Sequence, residues 1–120
     1  MTICIIPARS GSKRIKNKNI QKINGIPLIG ITINIAKKSG LFKRIIVSTD
    51  CPKISSIAKK YGAEVPFLRS KKLSNDFTPT FKVLIDVVKR IGSQKEKFHV
   101  CIYPTSVLIN KYDLKMALLK

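Results

Sequence analysis

The sequence predicts an α/β fold, a mostly parallel sheet with helices on both faces. Two observations carry this reading. Short apolar runs of strand length alternate with segments whose apolar residues recur at helical spacing. The first apolar run leads straight into a basic, glycine-containing loop, and open parallel sheets bind ligands outside the carboxyl ends of their strands. The size agrees: 120 residues allow one domain at most, and 44% apolar residues suffice for a core.

The elements follow in order. Thr2 to Pro7 is a buried strand, and the polar segment Ala8 to Asn19 is a loop. Asn24-Gly25 makes a tight turn, after which Pro27 suits the first position of a helix. Leu28, Ile31 and Ile35, with Thr32 and Ala36, give that helix an apolar face, and Ser39-Gly40 stops it. Arg44 to Thr49 is a second strand. Asp50 is expected as the N-cap of a helix with Pro52 in its first turn, running to about Tyr61 and ended by Gly62. Glu64 to Leu68 is expected as a short third strand, followed by a polar loop, Arg69 to Pro79. Thr80 to Ile91 is a helix with Val83, Leu84, Val87, Val88 and Ile91 on one face. Phe98 to Tyr103 is a fourth strand and Pro104 to Ile109 a loop. Asn110 and Asp113 resemble a capping box for a last helix. The loops beginning at Ala8, Arg69 and Pro104 should meet at one sheet edge.

Composition limits the functions. The formal net charge is +18, from 24 Lys and Arg against 6 Asp and Glu. That is compatible with a nucleic-acid binder, a binder of small anions, or a Lys-rich exterior. Lys outnumbers Arg 19 to 5, and a reader of bases and phosphates would favour Arg. No stacking array of aromatics interleaves the basic residues, so no nucleic-acid partner is expected. No apolar run is long enough to span a membrane, and Met1 to Pro7 does not read as a signal peptide. Cys4, Cys51 and Cys101 are too widely spaced for a zinc motif or a disulfide framework, which favours a reducing cytoplasm. His99 stands alone in a strand pattern.

The loop after the first strand carries the chemistry. Pro7-Ala8-Arg9-Ser10-Gly11-Ser12-Lys13-Arg14 continues to Lys18-Asn19. Gly11 lets the backbone approach a ligand closely, and Ser10 and Ser12 are small donors. Successive N–H groups in such a turn make an anion nest. Arg9, Lys13 and Lys18 add charge, each charge-assisted hydrogen bond to phosphate contributing about 1.5–3 kcal/mol. The loop is neither a Walker A motif nor a Rossmann fingerprint, since it has one glycine and lacks both registers.

These residues resemble the signature of the sugar-acid cytidylyltransferases, which activate nonulosonic acids with CTP. Ile46-Val47-Ser48-Thr49-Asp50, Tyr61 to Arg69, Asp76 to Thr80 and Ile102-Tyr103-Pro104-Thr105 continue the resemblance in order along the chain. Tyr103 stands where the sialic acid branch typically has Gln, which brings the chain nearer the pseudaminic acid branch. The resemblance implies the three-layer, Rossmann-like sheet of a nucleotide-diphospho-sugar transferase. It also implies CMP transfer: the anomeric hydroxyl of the sugar attacks the α-phosphate of CTP and pyrophosphate leaves. N-acetylneuraminic acid is the alternative substrate, and an inactive CTP-binding fragment or a basic nucleic-acid-binding module the alternative roles.

By position, Arg9, Ser12, Lys13 and Lys18 match the family's phosphate-contacting residues, with Arg9, Lys13 and Lys18 as the catalytic cations. Ala8 would lie near the base, Ser10 and Gly11 would shape the nest, and Asn19 would approach nucleotide or sugar. Arg69 and Thr80 match the residues beside the cytidine, and Tyr103 and Thr105 begin the sugar pocket. Ser10 stands where glycine is common and Lys16 where proline is common. Asp50 reads as a helix cap or a ligand, Asp76 as a loop organiser or a catalyst, and Tyr103 as a sugar contact or a packed strand-end aromatic. Asp86 and Asp113 read as helix-surface or capping residues. Family members are longer, so residues 1–120 are expected to be the N-terminal nucleotide-binding part, without the C-terminal half. Mg²⁺ is the family's cofactor, with its acidic ligands expected outside this chain, and a full-length homodimer is implied.

Overall fold

The computed structural model describes residues 2–9, 22–69, 80–92 and 99–102. Three parallel strands form its sheet in the order β4-β1-β5: β1 is Thr2–Pro7, β4 is Phe42–Ser48 and β5 is His99–Cys101. Ile5 of β1 is flanked by Ile46 on one side and Cys101 on the other. The helices are α1 (Leu28–Ser39), α2 (Pro52–Lys60) and α3 (Thr80–Ile91).

Side chains on a strand alternate between faces, and β1 uses both. Cys4 and Ile6 pack with Val47 against Ile29, Ile33 and Ala36 of α1 and Ile54 and Ala58 of α2. Ile3 and Ile5 pack with Ile46 against Val87 of α3, with Leu84, Val88 and Ile91 around it. Helices therefore cover both faces, as the alternating pattern required. The apolar face expected for α3 is the one that packs.

The α1 face is corrected. Thr32 and Ala36 are buried as expected, but Leu28, Ile31 and Ile35 are only half-buried, and Ile29 and Ile33 are fully buried in their place. This helix is apolar on most sides, so its periodicity did not choose a face. Packing selects the side with Gly30 and Ala36, whose small residues allow close approach. Pro27 sits at the N-cap, one residue before the expected position, and Gly40 closes the helix in the left-handed region at φ 68°. Asn24 (φ 51°) and Gly25 (φ 81°) form the turn of a two-residue hairpin absent from the sequence reading, β2 (Lys22–Ile23) with β3 (Ile26–Pro27).

Two further expectations change. Cys51, not Asp50, occupies the N-cap of α2, with Pro52 first in the helix, and Thr49 Oγ1 accepts the Cys51 N–H at 3.1 Å. The third strand shrinks to one parallel bridge, Glu64 to Ile46. Pro66 has no N–H to continue the ladder. The side chains also break period: Ala63 and Val65 join the α1–α2 cluster, but Phe67 joins the α3 cluster. The segment is thus a strap that crosses from one face of the sheet to the other. The expected fourth strand is seen as His99–Cys101, and the expected last helix lies outside the described residues.

Candidate functional site

The described part of the site is the carboxyl edge of β1 and β4. Beyond Pro7 the ladder runs one step further, with the Ala8 N–H donating to Ser48 O at 2.8 Å. This fixes where the basic loop leaves the sheet. Ala8 is buried and Arg9 half-exposed. On the other side, β5 ends as Ile102 donates its N–H to Ile5 O at 3.1 Å.

Arg69 comes to this edge from the strap. Its backbone N–H donates to Thr49 O at 2.6 Å. Its Nε donates to Ser48 Oγ at 3.1 Å and its Nη2 to Ser48 O at 2.7 Å. Only 6% of the residue is exposed. Burial pulls the guanidinium below its ordinary pKa; the Asp50 carboxylate opposes that, Arg9 adds to it, and Asp86 opposes it. A guanidinium still titrates far above neutrality, so Arg69 remains a cation. Arg9, Arg69 and Asp50 therefore share the edge where β1 and β4 end, while Asp86, paired with Arg90, acts from α3. Such a place favours an anion with several oxygens, and the fixed guanidinium fork suits phosphate or carbonyl oxygens.

Of the residues expected to bind nucleotide, the structure brings together Ala8, Arg9 and Arg69. Thr80 is the first residue of α3, and nothing is described of its side chain. Ser10, Gly11, Ser12, Lys13, Lys18, Asn19, Tyr103 and Thr105 lie outside the described residues, as do Asp76 and Asp113. Ser48 and Thr49 were missed as supports of Arg69; their signal was a polar pair ending an apolar strand. Asp86 was read as a surface or capping residue. It is half-buried, accepting from Arg90 Nε at 3.0 Å on the helix surface.

Three acidic residues are described, Asp50, Glu64 and Asp86. Glu64 Oε1 and Oε2 accept Arg44 Nη2 and Nε at 2.9 and 3.0 Å, Asp86 faces Arg90, and Asp50 acts electrostatically on Arg69. Among the described residues no group of three or more His, Cys, Asp or Glu is placed to hold a metal ion. These carboxylates do not fit a Mg²⁺ site. Among the described residues, too, no helix is long and apolar enough to cross a membrane.

Comparison with known proteins identifies the family. A family model described as cytidylyltransferase matches residues 3–120. Pseudaminic acid cytidylyltransferase of Campylobacter jejuni is 44% identical over 117 residues, covering 96% of this chain and 50% of that protein. CMP-N,N'-diacetyllegionaminic acid synthase of the same species is 48% identical over 99 residues, covering 82% of this chain and 41% of that protein. The chain thus spans about half the length of these curated relatives. A CMP:2-keto-3-deoxy-manno-octonic acid synthetase, solved as a complex with CTP, superposes with a TM-score of 0.80 over 98% of this chain and 46% of its own. At 22% identity that likeness concerns the fold alone. The match from Ile3 to Lys120 leads to one conclusion: the chain belongs to the cytidylyltransferase family.

Proposed function

We propose that this chain is the nucleotide-binding part of an enzyme that transfers CMP from CTP to a nonulosonic acid, pseudaminic acid first among them. The observation that carries this reading is Arg69, buried and fixed on Ser48 and Thr49, beside the point where the Arg9 loop leaves β1. The relatives named for pseudaminic and diacetyllegionaminic acids support the substrate class. In this reading Arg9, Ser12, Lys13 and Lys18 hold the phosphates, and Ser10 and Gly11 shape the nest. Arg69 and Thr80 lie by the cytidine, and Asn19, Tyr103 and Thr105 face the sugar. The reaction is a displacement at phosphorus, helped mainly by positioning and by cations around the developing charge. Mg²⁺, a homodimer and a cytoplasmic location belong to the proposal for the whole enzyme, with the metal's acidic ligands in the half of the enzyme outside this chain.

CTP titration by calorimetry tests the nucleotide site. The chain should prefer CTP to ATP. Lys13→Ala should weaken CTP binding about tenfold or more, the scale of one charge-assisted bond. Lys59→Ala, on the exposed end of α2, should leave it unchanged. Equal losses from both would refute a defined site. Turnover is expected to be little or none without the remainder of the enzyme. Rapid CMP-sugar formation from CTP, Mg²⁺ and pseudaminic acid by residues 1–120 would overturn that part.

A further inference from the structure

The strap that ends in Arg69 is held at three points, two of them along β4 and its end and the third in the cluster against α3. Near its start Glu64 is bonded into β4 and paired with Arg44. At its end Arg69 is bonded to Ser48 and Thr49. Between these, Phe67 packs into the cluster of Ile3, Ile5, Ile46 and Val87. The Arg90 guanidinium of α3 lies over the Phe67 ring, 4.7 Å from its centroid. Arg90 Nε also donates to Asp86 Oδ1 at 3.0 Å, one helical turn earlier. Asp86 Oδ2 is shielded from solvent and has no hydrogen-bond partner among the described residues. Its carboxylate is bonded to Arg90 and also acts, as the weakest of the four named influences, on the charge of Arg69.

We propose that Arg90 is a positioning residue for Arg69, acting through Phe67, with Asp86 orienting Arg90. Two residues of chain span at most about 7 Å, so little slack separates Phe67 from Arg69. A displacement of the ring therefore loads the short backbone segment that carries Arg69 against its bonds to Ser48 and Thr49. Arg90 holds the ring by cation–π attraction from the solvent side, while the cluster holds it from within. The ligand consequence rests on the reading of Arg69 as a nucleotide-binding residue. The mechanical link from Arg90 to Arg69 does not.

The test is exchange of the Arg69 Nε–H in the ¹⁵N-labelled chain, followed by NMR and paired with CTP titration of the same samples. Arg90→Ala should speed that exchange about twofold to fivefold, the range of one exposed cation–π contact. Phe67→Leu, which keeps bulk but removes the ring, should do the same. The double variant should do no more than either single, because both break one path. Phe67→Tyr should restore the slow rate, and Lys89→Ala, on exposed α3 surface, should not alter it. Backbone amides of β1 should exchange as before in every variant. Unchanged Arg69 exchange in Arg90→Ala overturns the proposal; so does equal acceleration throughout β1, which would signify general loosening. If the unaltered chain binds CTP, Arg90→Ala should weaken it by the same factor, and undiminished affinity overturns the positioning role. If the unaltered chain does not bind CTP, the nucleotide reading falls, and the exchange result alone decides the link between Arg90 and Arg69.

Discussion

Gly30 lies in the first turn of α1, where glycine normally weakens a helix by about 1 kcal/mol relative to alanine. Here it is required by a neighbour. A Cβ at Gly30 would lie 2.8–3.0 Å from three ring atoms of Tyr61. Such overpacking costs about 1–3 kcal/mol, which exceeds the propensity gained. Gly30→Ala should therefore lower stability by about 1 kcal/mol in urea unfolding. Adding Tyr61→Leu should recover most of the loss, and additive losses would show that the ring is not the cause. Nothing in the sequence announced this contact, because the two residues are distant in the chain and the glycine shows no positive φ. Arg69 shows the same division. Its place in the motif was legible, but its burial and its anchors on Ser48 were not, since both depend on where a strap crosses a sheet.

At the scale of elements, the amphipathic helix α3 was legible to its ends, because Val83, Leu84, Val87, Val88 and Ile91 mark one narrow face. The phase of α1 was not, because too many of its faces are apolar. The strap was mistaken for a strand because Glu64 to Leu68 has a strand's composition; one proline and one crossing of faces decide otherwise. Its start has a testable pH dependence. Hydrogen bonds from Arg44 hold the Glu64 carboxyl below its ordinary 4.5; burial opposes them and the Arg44 charge adds to them. A depressed carboxylate stabilises the fold above its unfolded pKa and loses that contribution as pH falls through the folded one. The pair is largely exposed, so the effect is below about 1 kcal/mol. Unfolding midpoints of the chain and of Glu64→Gln should differ at pH 7 and converge toward pH 3. A difference that persists at pH 3 would mean that the ion pair is not its source.

Over the whole molecule, the +18 charge divides into two populations. Arg9 and Arg69 stand at the carboxyl edge of the sheet, Arg69 buried. Lys37, Lys38, Lys53, Lys59, Lys60, Lys82 and Lys89 are exposed on helices, and Lys22, Lys53 and Lys60 surround a groove of about 370 Å³. The second population attracts polyanions without selecting them. Affinity for mixed-sequence DNA should therefore fall by orders of magnitude between about 50 and 200 mM salt. Preference for CTP over ATP should survive the same change, because it depends on contacts rather than on charge density. A CTP preference that vanishes with salt would reduce both populations to one. Composition alone suggested this division, and only the fold shows which cations are fixed.

One oxygen atom ties the site together. Ser48 O accepts both the Ala8 N–H at 2.8 Å and the Arg69 Nη2 at 2.7 Å. The loop leaving β1 and the guanidinium arriving from the strap are thus measured from a common datum. Their separation does not accumulate errors from the helices or turns between them in sequence. A shift of Ser48 therefore carries the root of the loop and the Arg69 guanidinium together.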